Sequence, residues 1–162
     1  MADIFTPAER SAVMARIRSR GNRDTELRLI ALLRVSRITG WRRGSKLVGR
    51  PDFFFPRIKV AVFVDGDFWH GHPTRSRIPA TRPEFWRAKI EANKSRDRLV
   101  TRTLRSNGWT VLRIWEFALT RRHQHRTMAR LARAIAKASA GVHEQPSSDK
   151  SAQYGAITRT RA

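Results

Sequence analysis

Several polar residues of this chain stand where a packed element would favour apolar ones. Asp52, in Gly49-Arg50-Pro51-Asp52-Phe53, opens a run of Phe and so sits at a strand edge beside a core. Asp65 ends the run Val60-Ala61-Val62-Phe63-Val64. A carboxylate at the end of a buried strand, next to one from the neighbouring strand, is how hard cations are held. Mg²⁺ takes few protein oxygens and keeps several waters. The segment Asp65-Gly66-Asp67-Phe68-Trp69-His70-Gly71-His72-Pro73 gathers acids, imidazoles and large aromatics. Imidazole is the side chain whose ordinary pKa lies near neutrality, so His70 is a candidate general base, and Asp67, His70 and His72 could ligate a transition metal. Further on, Trp86, Ile90, Asn93, Asp97, Val100 and Leu104 form one inward helical stripe, interrupted by Asn93 and Asp97. A buried carboxylate needs partners. Each feature alone has an ordinary alternative. Asp52 reads as a turn residue after Pro, Asp65 as a strand-ending turn residue, and Asp97 as half of a structural ion pair. His-x-His is a weak zinc signal.

The elements that must position these groups follow from periodicity. Residues 7–20 predict a short basic helix broken at Gly21-Asn22. Asp24 is placed to cap a helix ending near Val35, with Leu29, Ile30, Leu32 and Leu33 as its apolar stripe and Glu26 on the packed face. Residues 53–55 and 58–64 predict a hairpin around Pro56-Arg57. Residues 66–81 read as a loop and 83–106 as a long helix stopped by Asn107-Gly108. Residues 110–115 read as a strand. Residues 120–138 form a basic amphipathic helix with Met128, Leu131 and Ile135 inward. The polar stretch 139–162 lacks a period and predicts a disordered tail. The expected architecture is α/β: one domain over residues 1–138, with a mixed central sheet flanked by helices.

Composition narrows the partner. Lys and Arg number 34 against 13 acids, a net charge of +21, and most of the cations are Arg, which grips phosphate bidentately. Nucleic acid is the expected partner, ahead of an acidic protein or a membrane surface, but charge names no reaction. The absence of Cys excludes disulfides and Cys-based zinc sites, and fits a reducing cytoplasm. No apolar stretch approaches the roughly 20 residues of a membrane span. The first twenty residues lack the apolar core of a secretory leader.

Together the acids mean more than they do singly. A helical Glu, then Pro-Asp opening a hairpin, then an acid ending the next strand is the order of the PD-(D/E)XK nuclease core, here without its usual Lys. From about residue 9 to residue 135 the chain resembles the very short patch repair (Vsr) mismatch endonucleases. The resemblance rests on Gly49-Arg50-Pro51-Asp52-Phe53, Val62-Phe63-Val64-Asp65-Gly66-Asp67-Phe68-Trp69-His70 and Pro79-Ala80-Thr81-Arg82 with Glu84-Phe85-Trp86. It continues through Asn93-Lys94, Arg96-Asp97, Gly108-Trp109, Val111-Leu112 and Ile114-Trp115-Glu116.

The resemblance implies a restriction-endonuclease-like core and a Mg²⁺-dependent endonuclease, with Mn²⁺ as a substitute. It would nick one strand at a T:G mismatch, leaving a 5′-phosphate and a 3′-hydroxyl. Asp52 would bind the metal with the Val64 backbone carbonyl, and Glu26 would hold a metal-bound water. His70 would activate the attacking water and Asp97 would support the hydrogen bonding. Asp65, where a relative has His, belongs to the catalytic set without a defined role. Phe68, Trp69 and Trp86 would form the wedge that enters the DNA stack. Well-known members carry a structural zinc on three Cys and one His. Here Asp67 and Phe117 occupy two of the Cys positions, the third falls near Pro73-Thr74, and only His72 remains, so no structural zinc is expected. The implied partners are mismatched double-stranded DNA, with mismatch-repair proteins or a cytosine methyltransferase pathway as candidates, and no membrane. The implied setting is the prokaryotic cytoplasm and its nucleoid. The alternatives are a nuclease of the same core with another specificity, nicking or restriction-type, and a non-catalytic basic DNA-binding module.

Overall fold

The computed structural model describes residues 23–143. The helix expected at 7–20 and most of the tail expected from residue 139 lie outside them. A π-helical turn, Arg23–Leu27, runs into α1 (Arg28–Val35). Asp24 therefore lies inside the first helical turn, not ahead of it. Strands β1 (Phe53–Phe55) and β2 (Val60–Asp65) follow, then α2 (Pro83–Ser106), β3 (Thr110–Trp115), a 3₁₀ turn (Glu116–Leu119) and α3 (Gln124–His143). The last helix starts after the 3₁₀ turn and continues past Ala138. Among the described residues, no helix is long and apolar enough to cross a membrane.

The sheet has the order β1-β2-β3. β1 and β2 are the expected hairpin, antiparallel with Phe53 opposite Val62. β2 and β3 run parallel, with Val62 opposite Leu112 and Asp65 opposite Trp115, and α2 makes the crossover that a parallel pair requires. As the central strand, β2 is covered on both faces, which explains its nearly unbroken apolar run. Val60 and Val62 join Leu29, Leu33, Phe53, Leu112, Ile114, Leu119 and Leu131 under α1 and α3. Ala61 and Phe63 meet Val100, Leu104 and Val111 under α2. The alternation of side chains along β2 thus assigns each residue to a helix layer, and it places Asp65 on the α2 side.

The predicted stop of α2 is a Schellman ending. Trp109 N–H donates to the Leu104 carbonyl at 3.0 Å and Gly108 N–H to Arg105 at 3.0 Å, with Gly108 at φ +77°. The approach to Asp52 is also shaped by glycine. Gly49 has φ +73°, and a Cβ there would lie 2.3 Å from Val100 Cγ1 on α2. Backbone handedness and close packing both demand Gly, and together they fix the turn that delivers Pro51 and Asp52 to the sheet. Gly49→Ala is expected to destabilise the protein by about 1–3 kcal/mol, measured by chemical denaturation. Val100→Ala in the same chain should recover part of the loss. A Gly49→Ala variant as stable as the parent would contradict this account of the turn.

Candidate active site

The site lies at the C-terminal end of β2. Phe54 exchanges both backbone hydrogen bonds with Arg42, at 2.8 and 2.9 Å, so Phe53 and Phe55 turn theirs toward β2. One step beyond the last pair, the Val64 N–H donates to Asp52 Oδ2 at 2.7 Å. The N–H and C=O of one strand residue face the same edge, so the Val64 carbonyl faces the edge where Asp52 stands. Asp52 and Glu26 line one cavity of about 550 Å³ together with Arg43, Gly44, Ser45, Arg50 and Pro51. Glu26 is buried, as its place on the packed face of the first helix predicts, and its carboxylate is ion-paired to Arg43. Burial pushes the Asp52 carboxyl up to about 6, with the negative charges of Glu26 and Asp65 adding to the rise and the Val64 N–H opposing it.

A second set of groups lies on the α2 face. His70 Nδ1 is 2.6 Å from Asp97 Oδ2 and 3.7 Å from Asp65 Oδ1. An ionised carboxylate only accepts, so Nδ1 donates to Asp97, and in the neutral imidazole that leaves the lone pair on Nε2. Asp97 comes from the polar interruption of the α2 stripe. Asp65, at 4% exposure, is gripped by Arg113, whose Nε donates to Oδ2 at 2.6 Å and Nη2 to Oδ1 at 2.6 Å. Arg113 Nη2 also lies 2.9 Å from Asp97 Oδ1. The loop bearing His70 is laid onto α2 by two devices. Asn93 Nδ2 donates to the Trp69 carbonyl at 2.9 Å, and Gly71 lies so close that a Cβ would meet Ile90 Cγ2 at 2.5 Å.

Two aromatic residues of that loop, Phe68 and Trp69, cluster with Trp86 of α2. Phe68, Trp69 and Trp86 meet edge to face, with centroids 5.1, 5.4 and 6.0 Å apart, and all are half-buried. Phe85 continues the cluster to the surface. Arg82 lies over Phe85, and Lys89 over Phe85 and Trp69. None of the three wedge candidates belongs to the buried cores.

The residues at the positions that match the family's zinc ligands contact other parts of the protein, except that Asp67 Oδ1 is buried with no hydrogen-bond partner among the described residues. His72 Nδ1 accepts from the Thr74 and Arg75 N–H groups at 3.2 Å each, and its ring meets Trp115 and Phe117 edge to face. Asp67 accepts from Arg75 Nε at 3.1 Å, and Arg75 lies 4.5 Å over the Phe117 ring.

Comparison with known proteins decides the family. A sequence profile described as DNA mismatch endonuclease Vsr matches residues 2–76. The type II nicking enzyme V.NmeDIP of Neisseria meningitidis serogroup C is 42% identical over 116 residues, 70% of this chain and 77% of that one. The DNA mismatch endonuclease Vsr of Escherichia coli K12 is 40% identical over 127 residues, 76% of this chain and 80% of that one. The chain belongs to the Vsr family of DNA endonucleases. It is thus a hydrolase that cuts DNA, and its mixed sheet between helix layers is the restriction-endonuclease-like core of the Vsr fold. Within that fold the structure brings Glu26 and Asp52 to one cavity, and His70, Asp65 and Asp97 to one hydrogen-bonded group. Sequence reading missed Arg113 and Arg43. Arg113 left a signal, as the one charged residue in the strand run Thr110-Val111-Leu112-Arg113-Ile114-Trp115. Arg43 left none.

The raised Asp52 pKa has a signed consequence. At the lowest pH both folded and unfolded chains hold the Asp52 proton. As pH rises from about 4 to about 6 the unfolded chain loses it first, so stability drains away, and above about 6 the whole penalty of the buried charge is present. Asp52→Asn keeps an oxygen for the Val64 N–H without the charge. In EDTA it should melt higher than the parent at pH 8, with the gap closing toward pH 4. A gap independent of pH would refute the electrostatic reading.

Proposed function

We propose that this Vsr-family endonuclease nicks one strand of duplex DNA at a T:G mismatch by Mg²⁺-dependent hydrolysis. The observation that carries the reading is the convergence on the end of β2. An electrostatically burdened carboxylate, Asp52, stands at one edge, and His70, held through Nδ1 by Asp97, stands on the α2 face.

The donor set fits a hard cation. No three or more His, Cys, Asp or Glu side chains gather into a closed metal cage among the described residues. Mg²⁺ needs no such cage, only one or two carboxylates with waters and phosphate oxygens. Asp52 and the Val64 carbonyl would hold it, with Glu26 beyond a water, and Mn²⁺ can take the same ligands. When bound it supplies positive charge to the scissile phosphate and the departing 3′ oxygen. His70 Nε2 takes the proton of the attacking water as its oxygen bonds to phosphorus. Asp97 steadies the imidazolium that results. The bond from phosphorus to O3′ breaks, leaving a 5′-phosphate and a 3′-hydroxyl. Asp65, with both oxygens on Arg113, supports the group and takes no proton in this scheme.

Arg43 and Arg50 line the Asp52 cavity and offer phosphate partners, and the basic face of α3 would track the backbone without reading sequence. Phe68, Trp69 and Trp86 are the wedge. Rings driven between base steps cost unstacking energy, and a mismatched step opens more cheaply, so the wedge turns weak pairing into selectivity. At the positions that match the family's zinc ligands, Asp67 Oδ2 pairs with Arg75 and His72 Nδ1 accepts backbone N–H groups, while Asp67 Oδ1 is buried without a partner among the described residues; packing in place of a structural zinc is part of the proposal. Such an enzyme works on the chromosome in the prokaryotic cytoplasm, alongside mismatch-repair or cytosine-methylation pathways. A second reading has specific support: relatives such as V.NmeDIP are named nicking enzymes, and the same chemistry could serve a different site preference.

One panel of matched, T:G and other mismatched duplexes, with and without Mg²⁺, tests the reading. Nicking should require Mg²⁺ and favour T:G. Asp52→Ala should abolish cleavage while DNA affinity holds, and His70→Ala should slow it roughly 10²–10⁴-fold. Phe68→Ala and Trp69→Ala should lose roughly ten- to a hundredfold at the mismatch and much less in binding to matched duplex. Normal cutting by Asp52→Ala would overturn the metal site. Equal losses on matched and mismatched DNA would reduce the rings to a structural role. Preference for another duplex would favour the second reading.

A further inference from the structure

Arg113 crosses from β3 to the polar group on the α2 face. Its register partner is Phe63, and the guanidinium lies 4.8 Å from that ring as it reaches along the sheet to Asp65. There it meets a conflict. Asp65 and Asp97 both approach the His70 Nδ1–H, at 3.7 and 2.6 Å, and Asp65 is almost wholly buried. Two carboxylates in so little water repel each other and compete for one imidazole proton. Arg113 resolves the competition by occupancy. Its Nε and Nη2 fill both Asp65 oxygens, and Nη2 also takes Asp97 Oδ1, which leaves Asp97 Oδ2 as the acceptor for His70.

The bridge is kept at a cost. Arg113 Nη1 is buried and has no hydrogen-bond partner among the described residues, a loss that would favour an apolar side chain if packing were the whole purpose. Burial works against the charge, but the Asp65 and Asp97 carboxylates more than offset it and hold the guanidinium more firmly protonated than a free Arg. Asp65, His70, Asp97 and Arg113 line one open cavity on the α2 face, and the other cations lining it, Lys94 and Arg98, come from α2. Arg98 is turned to Glu91 at 2.7 Å and Ser95 at 3.0 Å, and Arg113 is the cation that bridges both acids.

We infer that Arg113 is a positioning residue for DNA cleavage: it occupies Asp65 and one oxygen of Asp97, so that the other Asp97 oxygen alone orients His70. The inference rests on the proposed role of His70 as base. Outer partners that orient a metal-ligating imidazole are worth about ten- to a hundredfold in metal affinity or activity, and a loss on that scale is expected for the imidazole base.

The test is single-turnover nicking in Mg²⁺ at saturating duplex, with DNA affinity measured alongside, for Arg113→Met, His70→Ala and the double variant. Arg113→Met should slow cleavage about ten- to a hundredfold with little change in affinity. In the His70→Ala background it should have almost no further effect, because groups acting as one unit are not additive. If Arg113→Met proves too unstable in a thermal melt, Arg113→Lys carries the same test, since it keeps a buried cation but loses the fork. An equal slowing in both backgrounds, a loss of affinity matching the loss of rate, or an unchanged rate would overturn the inference. A wild-type rate in His70→Ala itself would instead overturn the assignment of the base.

Discussion

At the end of the hairpin a side chain takes the place of a strand. The Val64 N–H, next in line for β1, finds the Asp52 carboxylate at 2.7 Å instead. This hydrogen bond lets β1 end at Phe53 without orphaning a backbone donor, and it fixes a carboxylate at the edge of the central strand. The burial that secures the bond also makes the Asp52 charge expensive, and Glu26 and Asp65 make it more so. Such a position costs stability in a metal-free fold. On the proposed reading a cation bound there would turn the penalty into an attraction and serve the enzyme at a phosphate.

The rest of the site depends on what β2 does next. Because side chains alternate, Asp65 falls on the face opposite Val62 and lands beneath α2, where Asp97 and the His70 loop meet it. The sheet thereby separates two tasks. Glu26 and Asp52 share the cavity with Arg43 and Arg50, while the imidazole and its carboxylates are managed by α2 and β3. The loop after β2 carries His70 and two rings of the aromatic cluster, Phe68 and Trp69, while Trp86 comes from α2, and the Asn93 bond to the Trp69 carbonyl ties the loop to that helix.

What was legible in the sequence is what local patterns encode. The three-residue and four-residue spacing along α2 places Asp97 inward, and Asn107-Gly108 ends that helix where expected. The apolar run of β2 marks it as a covered strand, and Glu26 lies on the packed face. Local signals misled where a neighbour outweighed them. Asp24 looks like a cap, but the π-helical turn begins before it. A 3₁₀ turn delays the last helix to Gln124. The role of Asp65 was illegible because its partner, Arg113, lies 48 residues away and on another strand. Only the parallel register joins them. Arg43, 17 residues beyond Glu26, is hidden for the same reason.

The central claim is that the Asp52 edge of β2 holds the catalytic cation while His70 stands apart from it as the base. Mn²⁺ titrated into ¹⁵N-labelled protein reads this directly, because paramagnetic broadening falls steeply with distance. The account predicts that the Asp52 and Val64 amides broaden first, that those of Asp67 and His72 persist longer, and that Asp52→Asn removes the early broadening. Broadening that begins at Asp67 and His72, or that survives unchanged in Asp52→Asn, would contradict it.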